Sequence, residues 1–205
     1  MKKEHFEATA VFLTGAGKIL FVNLLDQKFW FITVCGTGWL VYLLVTFWRD
    51  REMTRRWGFQ QEGFRKSIWL LAGPAFLVVI ASWLYGSTVG HAVVSWHLIP
   101  VLLLYPIWGT IQQWLLISLF GGNLLKTAPV SKWFVYLITA ILFGVIHYPS
   151  NLLMIGTFLL AFTYLTVFER QRNLLALGLY HGWLGGVFYF FALGRDPWVE
   201  FIEKL

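Results

Sequence analysis

Long apolar tracts separated by short clusters of Lys and Arg limit this chain to one class of fold. A backbone in hydrocarbon must satisfy its own N–H and C=O groups, so such tracts are helices that cross a bilayer. A span needs about 20 predominantly apolar residues, because a helix rises ~1.5 Å per residue through a core ~30 Å thick. On that measure spans are expected near 8–25, 29–48, 67–85, 97–120, 132–148, 152–168 and 174–193. Lys18 and Asn23 interrupt the first, and an interfacial helix whose lysine snorkels to the headgroups is the alternative there. A soluble core is excluded by composition: 58% of the 205 residues are hydrophobic and only 13% are charged, about half the usual share of roughly a quarter. The expected fold class is therefore all-α, a polytopic membrane helix bundle with about seven transmembrane helices. Without an internal repeat or a low-complexity linker, 1–205 parses as a single membrane domain.

Orientation follows from the basic residues. With the N-terminus in the cytoplasm, the inner segments hold Lys2, Lys3, Arg49, Arg51, Arg55, Arg56, Arg65, Lys66, Lys126, Lys132, Arg170 and Arg172. The outer side receives only Lys28, Arg195 and Lys204, and Lys18 lies within the first span. That bias places the N-terminus inside, the C-terminus outside and a cytoplasmic loop at about 49–66. The net charge of +6 then needs no nucleic-acid partner, because a basic rim facing anionic lipid accounts for it. Trp30, Trp48, Trp69, Trp83, Trp96, Trp133 and Trp198 fall near span ends, where indole is favoured, whereas Trp39, Trp108, Trp114 and Trp183 are expected in helix contacts. Glu4, His5 and Glu7 break the order of a cleavable signal peptide, and the single Cys35 gives no disulfide framework. An integral protein of a bacterial or archaeal cytoplasmic membrane, with membrane lipid as a partner, is expected.

Chemistry must come from polar groups within the spans, where each costs free energy unless paired or hydrated. The candidates are Gln112 and Gln113 in span four, His147 at the end of span five and His181 in span seven. His97, at the outer start of span four, reads as a surface residue; His91 and His5 are assigned no role. No Asp or Glu falls in the interior of spans two to seven, which weighs against a proton pump or ion-coupled transporter. Taken singly, an intramembrane His or Gln is often interhelical glue contributing about 0.5–2 kcal/mol, and Gly182, Gly185 and Gly186 are ordinary close-packing positions.

Order and spacing change this. The chain runs Gln112-Gln113-Trp114-Leu115-Leu116-Ile117, then Phe143-Gly144-Val145-Ile146-His147, then His181-Gly182-Trp183-Leu184-Gly185, on three hydrophobic helices. Over about 97–193 this resembles the CPBP family of intramembrane proteases, which includes CAAX prenyl endopeptidases and bacteriocin-processing or immunity proteins. The family pattern is Glu-Glu-x-x-x-Arg, Phe-x-x-x-His and His-x-x-x-Asn. Upstream, Trp57-Gly58-Phe59 followed by Phe64-Arg65 resembles the segment that precedes the family's core. Position by position, Gln112 and Gln113 stand where the two glutamates would be, and His147 and His181 match the two histidines. Ile117 stands in place of the Arg and Gly185 in place of the Asn. The simultaneous loss of Arg and Asn points to natural divergence rather than an engineered knock-out of two glutamates.

In the family a carboxylate assisted by His activates water, and His with Asn supports the oxyanion. A glutamine amide orients water but has no useful basicity. Loss of an oxyanion donor costs roughly 10²–10³ in rate by analogy with other hydrolases. Three readings follow. One is an endopeptidase acting on membrane-anchored peptides, in which His147 or His181 is the base and the glutamines position the scissile carbonyl. Another is a non-catalytic relative binding a membrane partner or lipid, in an immunity, chaperone or assembly role. The third is a metal or haem held by His147 and His181, with His97 or Gln112 assisting; no other cofactor is required. Depth tests all three, because His147 comes ~15 residues after Lys132 and so lies toward the outer side of a straight span five. Either that helix begins deeper, or the Tyr148–Asn151 turn enters the membrane within a hydrated cavity.

Overall fold

The computed structural model describes residues 3–202, apart from the side chain of Phe201; Lys2 and Lys204, counted in the charge bias, lie outside the described residues. The described residues form helices and turns only. These are α1 (Lys3–Gly17, continuing as a π-helical stretch Lys18–Leu24), α2 (Lys28–Arg49), α3 (Arg51–Arg56) and α4 (Phe64–Val89). Then come α5 (Leu98–Gln113, continuing as a π-helical stretch Trp114–Gly121), α6 (Gly122–Thr127), α7 (Lys132–Val145), α8 (Asn151–Gln171), α9 (Leu174–Phe191) and α10 (Pro197–Ile202). Among the described residues, six helices are long and apolar enough to cross a membrane: Lys3–Leu24, Lys28–Arg49, Phe64–Val89, Leu98–Thr127, Asn151–Gln171 and Leu174–Phe191. α7 is apolar but shorter, at 14 residues. Large apolar side chains point outward along these helices, Trp48 at 92% and Trp69 and Leu103 at 71% exposure. Surface of that kind is stable in lipid and not in water.

The chain forms two compact units, each assembled from two sequence segments. The first takes the chain up to Gln60 together with Trp114–Arg172. Its core holds Trp57, Trp114, Ile117, Leu119, Tyr136, Phe143, Tyr164 and Phe168, all buried. Ser131 starts α7, its hydroxyl oxygen accepting from the Phe134 N–H at 3.2 Å, and Ser150 does the same for α8 at Leu153. At the far ends of this helix pair, Lys132 and Tyr136 both donate to Glu169, at 2.9 and 2.6 Å. α7 therefore begins where the sequence places it. It stops at Val145, three residues short of the expected end, because the chain turns over Ile146–Pro149 before Ser150 starts the next helix.

The second unit takes Gln61–Gln113 together with the chain from Asn173 onward. α9 is packed between α4 and α5. Asn173 sets its start: its side-chain oxygen accepts from the Ala176 N–H at 3.0 Å, and its amide donates to the Glu62 carbonyl at 2.9 Å. Glycines then allow α5 and α9 to cross backbone on backbone. A Cβ on Gly109 would lie 2.5 Å from the Gly178 carbonyl oxygen, and one on Gly178 or Gly182 would collide with Thr110 or Pro106. Proline contributes as well, since Pro106 brings no N–H to the surface that Gly182 meets.

The tryptophans divide. Trp114 is buried, as expected, in an aromatic cluster with Trp39, Tyr42 and Trp57, and Trp183 donates to the Leu102 carbonyl at 3.1 Å. Trp108 was expected in a helix contact; instead it is 52% exposed, because Gly109 rather than its neighbour takes the face of α5 that meets α9.

Candidate functional site

The α5–α9 crossing determines what Gln112 can reach. With the glycines holding the two backbones together, His181 Nε2–H donates to Gln112 Oε1 at 2.7 Å. An amide oxygen only accepts, so the bond fixes the proton on His181 Nε2. Gln112 thereby does what a glutamate would do as an orienting group and nothing of what it would do as a base. Gln113, one residue on, is fully buried, and neither its amide nitrogen nor its amide oxygen has a hydrogen-bond partner among the described residues. Groups of this kind cost roughly 1–3 kcal/mol when left unsatisfied.

Two of the four sequence candidates are thus brought together directly, Gln112 and His181. His147 belongs to the other compact unit and has its own surroundings. Its Nδ1–H donates at 2.7 Å to the carbonyl of Phe143, four residues back in the last turn of α7, and its ring stands edge-on to the Phe143 ring with centroids 5.0 Å apart. The spacing Phe-x-x-x-His has a mechanical sense here. The helix stops before His147, leaving the Phe143 carbonyl without its i+4 amide, and the imidazole takes that place. With Nδ1 protonated, neutral His147 carries its lone pair on Nε2.

Three features escaped the sequence reading. Lys18 Nζ donates to Asn23 Oδ1 at 2.8 Å and to the Tyr148 carbonyl at 3.2 Å, while Asn23 Nδ2 donates to that same carbonyl at 2.9 Å. The residues that interrupt the first span therefore grip the turn that carries His147. Glu7, 2% exposed, accepts from Tyr42 Oη at 2.5 Å and Asn123 Nδ2 at 2.6 Å. This buried carboxylate lies eleven positions before Lys18, ~16 Å along the helix, and is not part of the His147 surroundings. His97, read as a surface residue, is paired with Asp196 at 2.7 Å and rests on Trp96.

Among the described residues no three His, Cys, Asp or Glu side chains are gathered as a metal centre would require, and His181 Nε2 is already engaged by Gln112.

Part of the chain matches a known protein family. Residues 94–187 fit the family described as Type II CAAX prenyl endopeptidase Rce1-like. No curated protein and no solved structure matches the chain. The matched stretch contains Gln112, Gln113, Phe143, His147, His181 and Gly185, and it agrees with the resemblance carried by those residues. Residues 94–187, a little under half of the chain, are thus similar to the CAAX prenyl endopeptidase family, and they lie in a chain whose described residues include six helices long and apolar enough to cross a membrane.

Proposed function

We propose that this protein is an intramembrane endopeptidase of the CAAX type acting on membrane-anchored peptides, with His147 as the base that takes a proton from the attacking water. One observation supports this above others. The Nδ1–H of His147 is held by the Phe143 carbonyl, which leaves Nε2 as the basic nitrogen without help from a carboxylate. His181 takes a different role, because its Nε2 already carries a proton and is oriented by Gln112. Within its own unit it is a hydrogen-bond donor at Nε2 and not a base. A prenylated peptide is the first substrate to test, on the strength of the family's name. The distribution of Lys and Arg supports a cytoplasmic N-terminus and an outer C-terminus.

A second reading is favoured by the Gln112–His181 bond itself, in which donor and acceptor satisfy each other. On that reading the protein is a silent relative that binds a membrane partner or lipid. Cleavage of prenylated and unmodified anchored peptides by the purified protein separates the two. Activity in the parent that is lost in His147→Ala supports the endopeptidase. Activity that appears only in Gln112→Glu, where a carboxylate returns beside His181, supports the silent relative.

A further inference from the structure

A lysine within an apolar helix is costly unless its charge is matched or used. Lys18 is half-buried, and among the described residues no carboxylate pairs with it. Its ammonium has three N–H donors, and the described acceptors, Asn23 Oδ1 and the Tyr148 carbonyl, engage two of them. Both acceptors are neutral, so the positive charge stays uncompensated. It lies on the carbonyl of Tyr148, the residue directly after His147. Asn23 completes the arrangement, its oxygen holding the ammonium and its amide donating to the same carbonyl. A backbone carbonyl with two lone pairs is thus saturated by two side chains from one helix. The π-helical winding over Lys18–Leu24 puts residues five apart in the sequence on one side, where they reach one atom together.

The matched segment lacks a cation at the position where the family pattern has one. Position 117, where the family pattern has Arg, is Ile117, fully buried in the apolar core of the same unit. Position 185, where it has Asn, is Gly185.

We propose that Lys18 and Asn23, from a helix outside the matched segment, are positioning residues for His147. They clamp the Tyr148 carbonyl so that the imidazole keeps its bond to Phe143, and they hold a positive charge with a spare N–H donor beside it. The proposal rests on the reading of His147 as the base, and its test is separable from that reading.

The test uses the full chain in detergent with 15N-labelled imidazoles, His147 being assigned by the signal lost in His147→Gln. In the parent, neutral His147 shows one tautomer, protonated at Nδ1, and Lys18→Arg preserves it. Lys18→Met and Asn23→Ala release the carbonyl and give a mixture of tautomers, the lysine variant more so. A thermal-unfolding transition like the parent's reports that each variant is folded. Should Lys18→Met fail that control, Asn23→Ala, which keeps the charge and removes one donor, decides the matter alone. An unchanged His147 tautomer in a folded Lys18→Met or Asn23→Ala protein overturns the clamp. Where the parent cleaves peptide, Lys18→Met lowers kcat roughly 10–100-fold with little change in KM, and Lys18→Arg restores it. A parent that cleaves nothing sinks the endopeptidase reading and leaves the spectroscopic result to judge the clamp.

Discussion

In the unit that carries His181, the ring reaches a neighbouring helix, and its Nε2–H ends on the Gln112 oxygen. In the unit that carries His147, the ring turns back on its own helix, and its Nδ1–H ends on the Phe143 carbonyl. The consequence is opposite chemistry from one residue type. His181 is a donor at Nε2 and depends on how closely two helices pack; His147 is an acceptor at Nε2 and depends on where one helix stops. The first arrangement is a matter of tertiary packing and the second of local geometry. Mutations should therefore separate them.

The largest expected effect is on the His181 side. Gly182→Leu forces a side chain into the Pro106 backbone, which cannot give way as a flexible side chain could. Loss of more than about 4 kcal/mol of stability is expected, enough to abolish folded protein in a thermal-unfolding assay. A variant that melts like the parent would show that the α5–α9 crossing is looser than described.

Next comes the His147 side, where stability and activity should part. His147→Ala removes one bond to a carbonyl that Thr157 also approaches at 3.2 Å, so the melting temperature should move little. The expected loss is in cleavage, about 10²-fold or more, as for removal of a general base. If stability falls and cleavage stays, the two histidines have been assigned the wrong way round.

Gln112→Leu sharpens the contrast at smaller cost. It leaves the His181 Nε2–H, in a side chain only 9% exposed, without its acceptor. A loss of about 1–3 kcal/mol is expected, and Gln112→Glu should recover it, since a carboxylate accepts at the same place. Equal melting of Gln112→Leu and the parent would mean that the bond contributes nothing net.

The comparison also explains what could be read from the sequence. Six of the seven expected spans were legible, with ends off by up to seven residues, because a mostly apolar run about 20 residues long has one stable outcome in lipid; the fifth is a 14-residue helix, shorter than a span needs. His147 was legible as a candidate for a related reason, since its partner Phe143 is four residues away. The Gln112–His181 bond joins residues 69 apart, and family spacing rather than local pattern pointed to it. Glu7 shows the limit. Its partners, Tyr42 and Asn123, lie 35 and 116 positions away, and a glutamate near the start of an apolar helix otherwise reads as a solvated end. Lys18 and Asn23 were visible only as interruptions, because the carbonyl they hold is more than a hundred residues downstream.

The smallest expected effect concerns the motif position that the chain has emptied. Gly185 differs from its neighbours on α9: a Cβ there would meet only the Tyr105 ring edge, at 3.9 Å, an ordinary contact, whereas one on Gly182 would strike backbone. Gly185 is therefore not required by packing in the way that Gly178 and Gly182 are. Gly185→Asn should change stability by less than about 1 kcal/mol, because the entropy lost with glycine in a helix offsets the strain of a longer side chain. Close packing and loss of the family asparagine would then be independent events on one helix. Paired with Gln112→Glu, the substitution restores two of the four absent motif groups without disturbing the crossing. Peptide cleavage that rises in the double variant above either single one would place the deficit in those side chains. A Gly185→Asn protein that melts well below the parent would instead make the glycine structural.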